Sequence, residues 1–240
     1  ASAILNVGTW NGNVRNNHGA ISNGAAWNGN LGTVTANLGA VTNTNVGTWT
    51  GTANNGTTGT IANAGAWNGN VVDNTNTAAA AINNTGTWTG DVQNNHGGIT
   101  NAGVWGGNLG TVTANLGDVT NAGGATWNGT ALNGATGTIT NAGTWQGNLI
   151  NNLNTTTPNA VSNTGTWNGD ATNHGNLSNM VWAQLDDDGG RFLSGFQRLD
   201  PLGQRVRIGA CLGRHFLHRL EFLALDEVHL GQRAAHLRLE

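Results

Sequence analysis

Apolar and polar residues alternate with a period of two in short stretches that recur along most of the chain. In the stretch GTWQGNL, Trp145, Gly147 and Leu149 fall on one face, and the polar residues between them fall on the other. The stretch GTITN places Ile139 inward between two threonines, which suits a strand. The pattern therefore predicts short strands with an apolar inner face.

These stretches belong to a repeat of about 20 residues marked by tryptophan. The nine tryptophans are 17 to 22 residues apart, and Trp182 falls out of step. A unit this short cannot bury an apolar face alone, so successive units are expected to stack as a solenoid with a core column of indoles. The predicted core residues are Trp10, Trp27, Trp49, Trp67, Trp88, Trp105, Trp127, Trp145 and Trp167.

A second period of 78 residues copies four units as a block. LGTVTANLGAV begins at Leu31, and LGTVTANLGDV begins at Leu109. The tryptophan spacing alternates between 17 or 18 and 21 or 22, which predicts a longer corner in alternate coils. A coil rise of roughly 4.8 Å would make nine coils about 43 Å long.

Glycine and asparagine are expected to shape the corners of each coil. A glycine follows each of the nine tryptophans by two residues, which we interpret as room for the indole in a narrow core. Asn-Ala-Gly and Asn-Thr-Gly are expected to form turns, because both end residues tolerate left-handed backbone. Parallel stacking would also align Asn and Thr side chains into ladders.

Composition and charge exclude several classes of protein. The chain has 39 glycines among 240 residues, 9% charged residues and a formal net charge of −3, so no basic surface for nucleic acid is expected. The single cysteine excludes an internal disulfide framework. No apolar run reaches the length of a transmembrane helix, and the residues that follow Ala1 are not expected to be a signal peptide.

The phrases NVGTWNGNV and NAGTWQGNL, followed by variants of NNxGxIT, resemble the passenger repeats of bacterial autotransporter adhesins. The resemblance covers about residues 1–179 and lies in rhythm and composition. It implies a right-handed parallel β-helix, here of about nine coils in an all-β fold. It also implies secretion through an outer-membrane barrel and display on the bacterial cell surface, often in adhesion.

Residues 180–240 form a compositionally distinct tail without Thr or Asn, holding eight of the nine arginines. One interpretation is a separate element, with helical spacing between Leu212 and Leu230, that caps the solenoid. The other is an out-of-frame or disordered segment, because Gln184–Asp188, if it is encoded as CAA-CTT-GAC-GAC-GAC-G, reads Asn-Leu-Thr-Thr-Thr when the frame moves by one nucleotide. The gene sequence would distinguish the two interpretations.

Candidate catalytic and metal-binding residues are few, and no enzyme, cofactor or metal is expected. The pairs Asp91 with His96 and Asp170 with His174 are interpreted as solvated loop positions, because Asn13 replaces Asp91 in the first block. Histidines four coils apart cannot share a zinc ion. Asp186, Asp187 and Asp188 lack the alternate spacing of a calcium-binding loop. Cys211 has no partner residue at the spacing of a nucleophile motif.

Two other functions of the surface stay open. If the tryptophans faced outward, they would form stacking platforms for sugars or bases. The period of two would then also expose Val14 and Leu31, which lie on the same face as the tryptophans. Thr-x-Thr strands such as Thr48–Thr50 and Thr138–Thr140 are typical of ice-binding solenoids, but they fall at different phases of the unit. The sequons at Asn55 and Asn128 are expected to arise by chance.

The sequence thus predicts a surface-displayed structural or adhesive repeat region, with an ice- or carbohydrate-binding solenoid as the alternative. The expected location is extracellular, at the bacterial cell surface. The expected partners are an unidentified host or surface receptor, or like molecules, including end-to-end self-association through open strand edges. No nucleic acid partner is expected.

Overall fold

The computed structural model describes residues 3–179, 197–199 and 205–207. The chain divides into two compact units, Ala1–Arg191 and Phe192–Glu240. In the second unit, Gln197–Leu199 pairs antiparallel with Arg205–Arg207. The helical spacing expected between Leu212 and Leu230 lies outside the described residues.

The first unit is an all-β parallel solenoid of about nine coils, which confirms the predicted fold class. Each coil has three sides, and its strands join parallel sheets that run along the solenoid. The first, here called the aliphatic sheet, has ten strands: Ile4–Asn6, Ile21–Asn23, Ala40–Asn43, Thr60–Asn63, Ile82–Asn84, Ile99–Asn101, Asp118–Asn121, Thr138–Asn141, Val161–Asn163 and Leu177–Asn179.

The second, here called the tryptophan sheet, has nine two-residue strands, each ending in an indole. They are Thr9–Trp10, Ala26–Trp27, Thr48–Trp49, Ala66–Trp67, Thr87–Trp88, Val104–Trp105, Thr126–Trp127, Thr144–Trp145 and Thr166–Trp167. Every tryptophan pairs with the tryptophan of the next coil, so the register is fixed along the whole sheet.

The third side of each coil is less continuous. It consists of two three-stranded sheets, and single bridges through Leu31 and Leu109 connect these sheets to neighbouring coils. The strands are Ala53–Asn55, Val71–Asn74 and Val92–Asn95, then Ala131–Asn133, Leu149–Asn152 and Ala171–Asn173.

The extra residues of the longer coils lie at different corners. In the coil that follows Trp27, Gly32–Ala36 form an added corner between Leu31 and Asn37, and Gly32 has a φ of +73°. In the coil that follows Trp67, the added residues lie between Asn74 and Ile82. The inner positions keep their register because insertions are absorbed at corners and, on the third side, at register shifts within the strands.

The core is a set of parallel columns, one for each inward position. Ile, Val and Leu from the aliphatic sheet and the third side pack against the indoles in one buried cluster. Trp27, Trp49, Trp67, Trp88, Trp105, Trp127 and Trp145 are fully buried, Trp167 is 8% exposed, and Trp10 is partly buried at the first coil.

Candidate functional site

The tryptophans form a continuous stack along the solenoid. Ring centroids of successive indoles are 4.5–5.0 Å apart, and the ring planes are within 3–8° of parallel. Eight of the nine indole Nε1–H groups donate to the carbonyl oxygen of the glycine two residues later. The rings and their polar atoms therefore face inward, and this column offers no stacking platform to a sugar or base.

The glycine after each tryptophan is required by the backbone of the neighbouring coil. A Cβ at Gly107 would overlap the carbonyl oxygen of Gly90, and the same holds at each equivalent glycine from Gly29 to Gly169. The expectation that glycine only makes room for the indole was therefore incomplete, because the close approach is between glycine backbones in adjacent coils.

Within the described residues, the polar residues that are buried are asparagines. In the first ladder, each Nδ2 donates to Oδ1 of the next coil's asparagine at 2.6–2.8 Å. This ladder contains Asn6, Asn23, Asn43, Asn63, Asn84, Asn101, Asn121, Asn141 and Asn163.

A second ladder follows the third side of the coils with the same donor-to-acceptor direction. Its Nδ2–Oδ1 distances are 2.6–3.1 Å. It contains Asn17, Asn37, Asn55, Asn74, Asn95, Asn115, Asn133, Asn152 and Asn173.

The first ladder corrects the expected turn geometry. Asn63 begins an Asn-Ala-Gly stretch, and Asn84 begins an Asn-Thr-Gly stretch. Neither these asparagines nor the glycines that end the two stretches have a positive φ. The described residues with a positive φ are Gly32, Gly110, Gly124 and Asn159. The turn is instead held by the buried side chain, because Nδ2 of Asn63 also donates to the carbonyl oxygen of Gly65. Sequence reasoning missed this burial, although the period of two places each Asn on the face of the preceding Ile or Val.

The candidate acidic residues take part in hydrogen bonds between coils. The Asp91 carboxylate accepts the backbone N–H of Asn108 at 2.8 Å, and Asn13 accepts that of Asn30 at 2.9 Å in the equivalent position. Asp118 accepts the Thr138 hydroxyl. The backbone N–H of Asp170 donates to Asn148 Oδ1. The exchange of Asp for Asn at position 91 thus preserves the same contact.

The three histidines of the 78-residue period are exposed at equivalent places. His18, His96 and His174 each follow an asparagine of the second ladder, and His174 Nδ1 lies 2.7 Å from Asn151 Oδ1. Four coils separate one histidine from the next, roughly 19 Å at the inter-strand spacing. Within the part of the chain that the structure describes, no three His, Cys, Asp or Glu side chains are grouped to hold a metal ion.

The outward surface of the tryptophan sheet carries an ordered row of small side chains. The residue before each tryptophan points outward, and these residues pair in register along the solenoid. They are Thr9, Ala26, Thr48, Ala66, Thr87, Val104, Thr126, Thr144 and Thr166. This row is here called the threonine row; four of its side chains are exposed and five are half-buried.

The other predicted positions fall in varied places. Thr138–Thr140 lies on the aliphatic sheet, so its hydroxyls do not join the threonine row. Of the two sequons, Asn55 is buried in the second ladder, whereas Asn128 is exposed. Asp186, Asp187, Asp188 and Cys211 lie outside the described residues.

Comparison with known proteins gives no relative from which a function could be transferred. No protein-family model matches the chain, and no curated protein or solved structure is significantly similar to it. Among the described residues, no helix is long and apolar enough to span a membrane.

Proposed function

We propose that residues 1–179 are a structural and adhesive repeat region, displayed at a bacterial cell surface like an autotransporter passenger and without catalytic activity. The observation that carries the proposal is the unbroken stacking of the inner columns through every coil. Such a column extends by one strand spacing for each added coil and holds its outer surface in a fixed register. These properties suit a spacer that carries a binding surface away from the cell.

The arrangement of polar residues agrees with a role that does not involve chemistry. The carboxylates of Asp73, Asp91 and Asp118 accept hydrogen bonds from groups of the next coil. Acid–base hydrolysis of a glycoside needs two carboxyl groups facing one substrate. In this solenoid the acids lie on separate coils and stabilise the contact between coils.

The proposed partners are an unidentified host or surface receptor, or other copies of the chain. End-to-end association is supported by the direction of the ladders. In both ladders the side-chain bonds run from Nδ2 of one coil to Oδ1 of the next, so a copy stacked in the same direction would continue the donor-to-acceptor order. Sedimentation at increasing concentration should then show linear oligomers.

Surface display is tested on the cells that produce the protein. Antibodies against the exposed corners should label intact cells, and external protease should remove that label. Beads coated with the purified chain should also adhere to host cells or to one another. Labelling that appears only after permeabilisation would overturn the proposed display, and adhesion no greater than that of uncoated beads would overturn the adhesive role.

The threonine row favours one second candidate, an ice- or carbohydrate-binding surface. Six of its nine positions are Thr, and the others, Ala26, Ala66 and Val104, also present methyl groups. Strand pairing spaces these side chains regularly at roughly 4.8 Å. A regular array of methyl and hydroxyl groups can match a repeating solid surface.

Thermal hysteresis and pull-down with insoluble polysaccharide measure this candidate function directly. Replacing Thr87 and Thr126 by Arg should abolish either activity and leave the fold intact, because both side chains point outward. Equivalent Arg substitutions at Thr42 and Thr120, on the aliphatic sheet, are the matched control. Absence of both activities in the unmodified chain would remove this candidate.

A further inference from the structure

The chain contains eight Asn-Gly pairs, and the fold separates them into two groups. Five asparagines follow a tryptophan and are exposed: Asn11, Asn28, Asn68, Asn128 and Asn168. Three belong to the buried ladders: Asn23, Asn55 and Asn133. The same dipeptide is therefore present in two environments within one molecule.

Asn-Gly is the dipeptide most open to spontaneous loss of the side-chain amide. The backbone nitrogen of the glycine attacks Cγ of the asparagine, a C–N bond forms, and ammonia leaves to give a cyclic succinimide. Water then opens the ring to aspartate or isoaspartate. Glycine permits the attack because it has no Cβ and allows unusual backbone angles.

In the exposed pairs the asparagine side chains are accessible, whereas the following glycine is exposed at Gly12, half-buried at Gly169 and buried in the other three pairs. Asn128 and Asn168 are exposed, and within the described residues no hydrogen bond engages their side chains or the backbone N–H of Gly129 and Gly169. The other exposed pairs are partly engaged. Asn28 donates to Asn11 and accepts from a threonine hydroxyl, and Asn68 likewise accepts from a threonine hydroxyl.

The buried pairs hold the same atoms in place. The backbone N–H groups of Gly24, Gly56 and Gly134 donate to carbonyl oxygens one coil earlier, at 2.9, 2.7 and 2.7 Å. The side-chain amides of their asparagines both donate and accept within the ladders. Attack would break these bonds in a part of the protein from which water is excluded.

We propose that the outward Asn-Gly pairs beside the tryptophan sheet are sites of spontaneous deamidation, led by Asn128 and Asn168, and that the ladder pairs are protected. Each conversion adds one negative charge next to the threonine row. Conversion at all five sites would take the formal net charge from −3 to −8. Isoaspartate would also lengthen the backbone between the indole and the glycine that accepts its N–H.

The test is site-resolved mass spectrometry of the whole chain after incubation in mildly alkaline buffer, followed by rapid acidic digestion. Asn128 and Asn168 should convert first, then Asn11, Asn28 and Asn68. The three ladder sites should remain amides. When the same chain is incubated in guanidinium, all eight sites should convert at similar rates. At the three ladder sites, the unfolded chain should convert at least tenfold faster than the native chain.

Two results would overturn the proposal. One is conversion of the ladder sites in the native chain as fast as the outward sites. The other is native Asn128 and Asn168 remaining unconverted while the unfolded chain reacts. The variant Asn128→Gln should lose only the deamidation signal at residue 128. This loss would confirm the assignment of that peptide, and the other seven sites would serve as internal controls.

Discussion

The inside and the outside of the solenoid follow different rules, although they alternate residue by residue along the same strands. Four inward columns keep one residue type from coil to coil, Trp in one, Gly in another and Asn in two more, while the aliphatic columns interchange Ile, Val, Leu and Ala. Outward positions on the same strands vary, as between Thr87 and Val104. The contrast shows where the fold restricts the sequence.

Parallel stacking explains the inner restriction, because each side chain rests on its own equivalent in the next coil. In the Trp, Gly and Asn columns, an inner residue must therefore suit a copy of itself. Indoles stack on indoles, and glycine lets two backbones approach. Asparagine carries both donor and acceptor, so it can form an unbroken ladder, whereas an ionised aspartate only accepts. Outward residues meet water and are free of this requirement.

The largest expected effect comes from opening the tryptophan column. Trp105→Ala removes a fully buried ring between two stacked neighbours and should lower the free energy of unfolding by about 3–5 kcal/mol. Val104→Ala, at the neighbouring outward position, should change it by less than about 0.5 kcal/mol. Denaturant unfolding measures both variants, and equal effects would contradict the distinction between inside and outside.

The glycine column provides the next test, with two adjacent glycines that differ only in the face they occupy. Gly107→Ala places a Cβ against the Gly90 carbonyl oxygen and should destabilise the fold by about 3 kcal/mol. Gly106→Ala meets no atom closer than 3.5 Å and should be tolerated. Thermal unfolding distinguishes the two, and a tolerated Gly107→Ala would show that the coils can separate locally.

The asparagine ladder should respond less strongly, because one substitution breaks two ladder hydrogen bonds without creating a clash. Asn84→Ala removes the acceptor of Asn63 and the donor to Asn101, so we expect a loss of about 2 kcal/mol. Asn83→Ala, exposed beside it, is the matched control and should be nearly neutral. If both variants unfold at the same denaturant concentration, the ladder contributes little to stability.

The smallest effect is expected at a corner, where a substitution changes only the backbone preference. Gly124 has a φ of +83°, and no neighbouring atom lies within 4 Å of the place that an alanine Cβ would occupy. Gly124→Ala should therefore cost about 1 kcal/mol from the left-handed backbone alone. Gly123→Ala lacks this backbone requirement and should be neutral in thermal unfolding. If Gly124→Ala lost more stability than Asn84→Ala, the corners would be as restricted as the inner columns.

Much of the solenoid could be predicted from the sequence, but part of its interior could not. The tryptophan spacing indicated the coils, and the period of two indicated the inward phase of Trp145 and Ile139. The same period also placed Asn141 inward, yet asparagine is usually exposed because burying an unpaired amide is unfavourable. Only the alignment of Asn121, Asn141 and Asn163 supplies the partners that make burial favourable.

The candidate surface was harder to predict than the core. Thr-x-Thr stretches look alike in sequence, but Thr48 lies on the tryptophan sheet, Thr138 on the aliphatic sheet and Thr33 at a corner. Corner length decides which sheet a stretch joins, and corner residues do not follow the alternating pattern. The threonine row therefore became visible only when the strand register was known.

The sequence by itself determined that this protein stacks short coils around an indole column, because the alternation and the 20-residue repeat are local properties that each unit carries. The tertiary structure alone decided which side chains meet between coils. Those contacts join residues 17 to 22 positions apart, and their register depends on how the corners and the register shifts within strands absorb the extra residues. The buried amide ladders, the contact between glycine backbones and the threonine row all arise from that register.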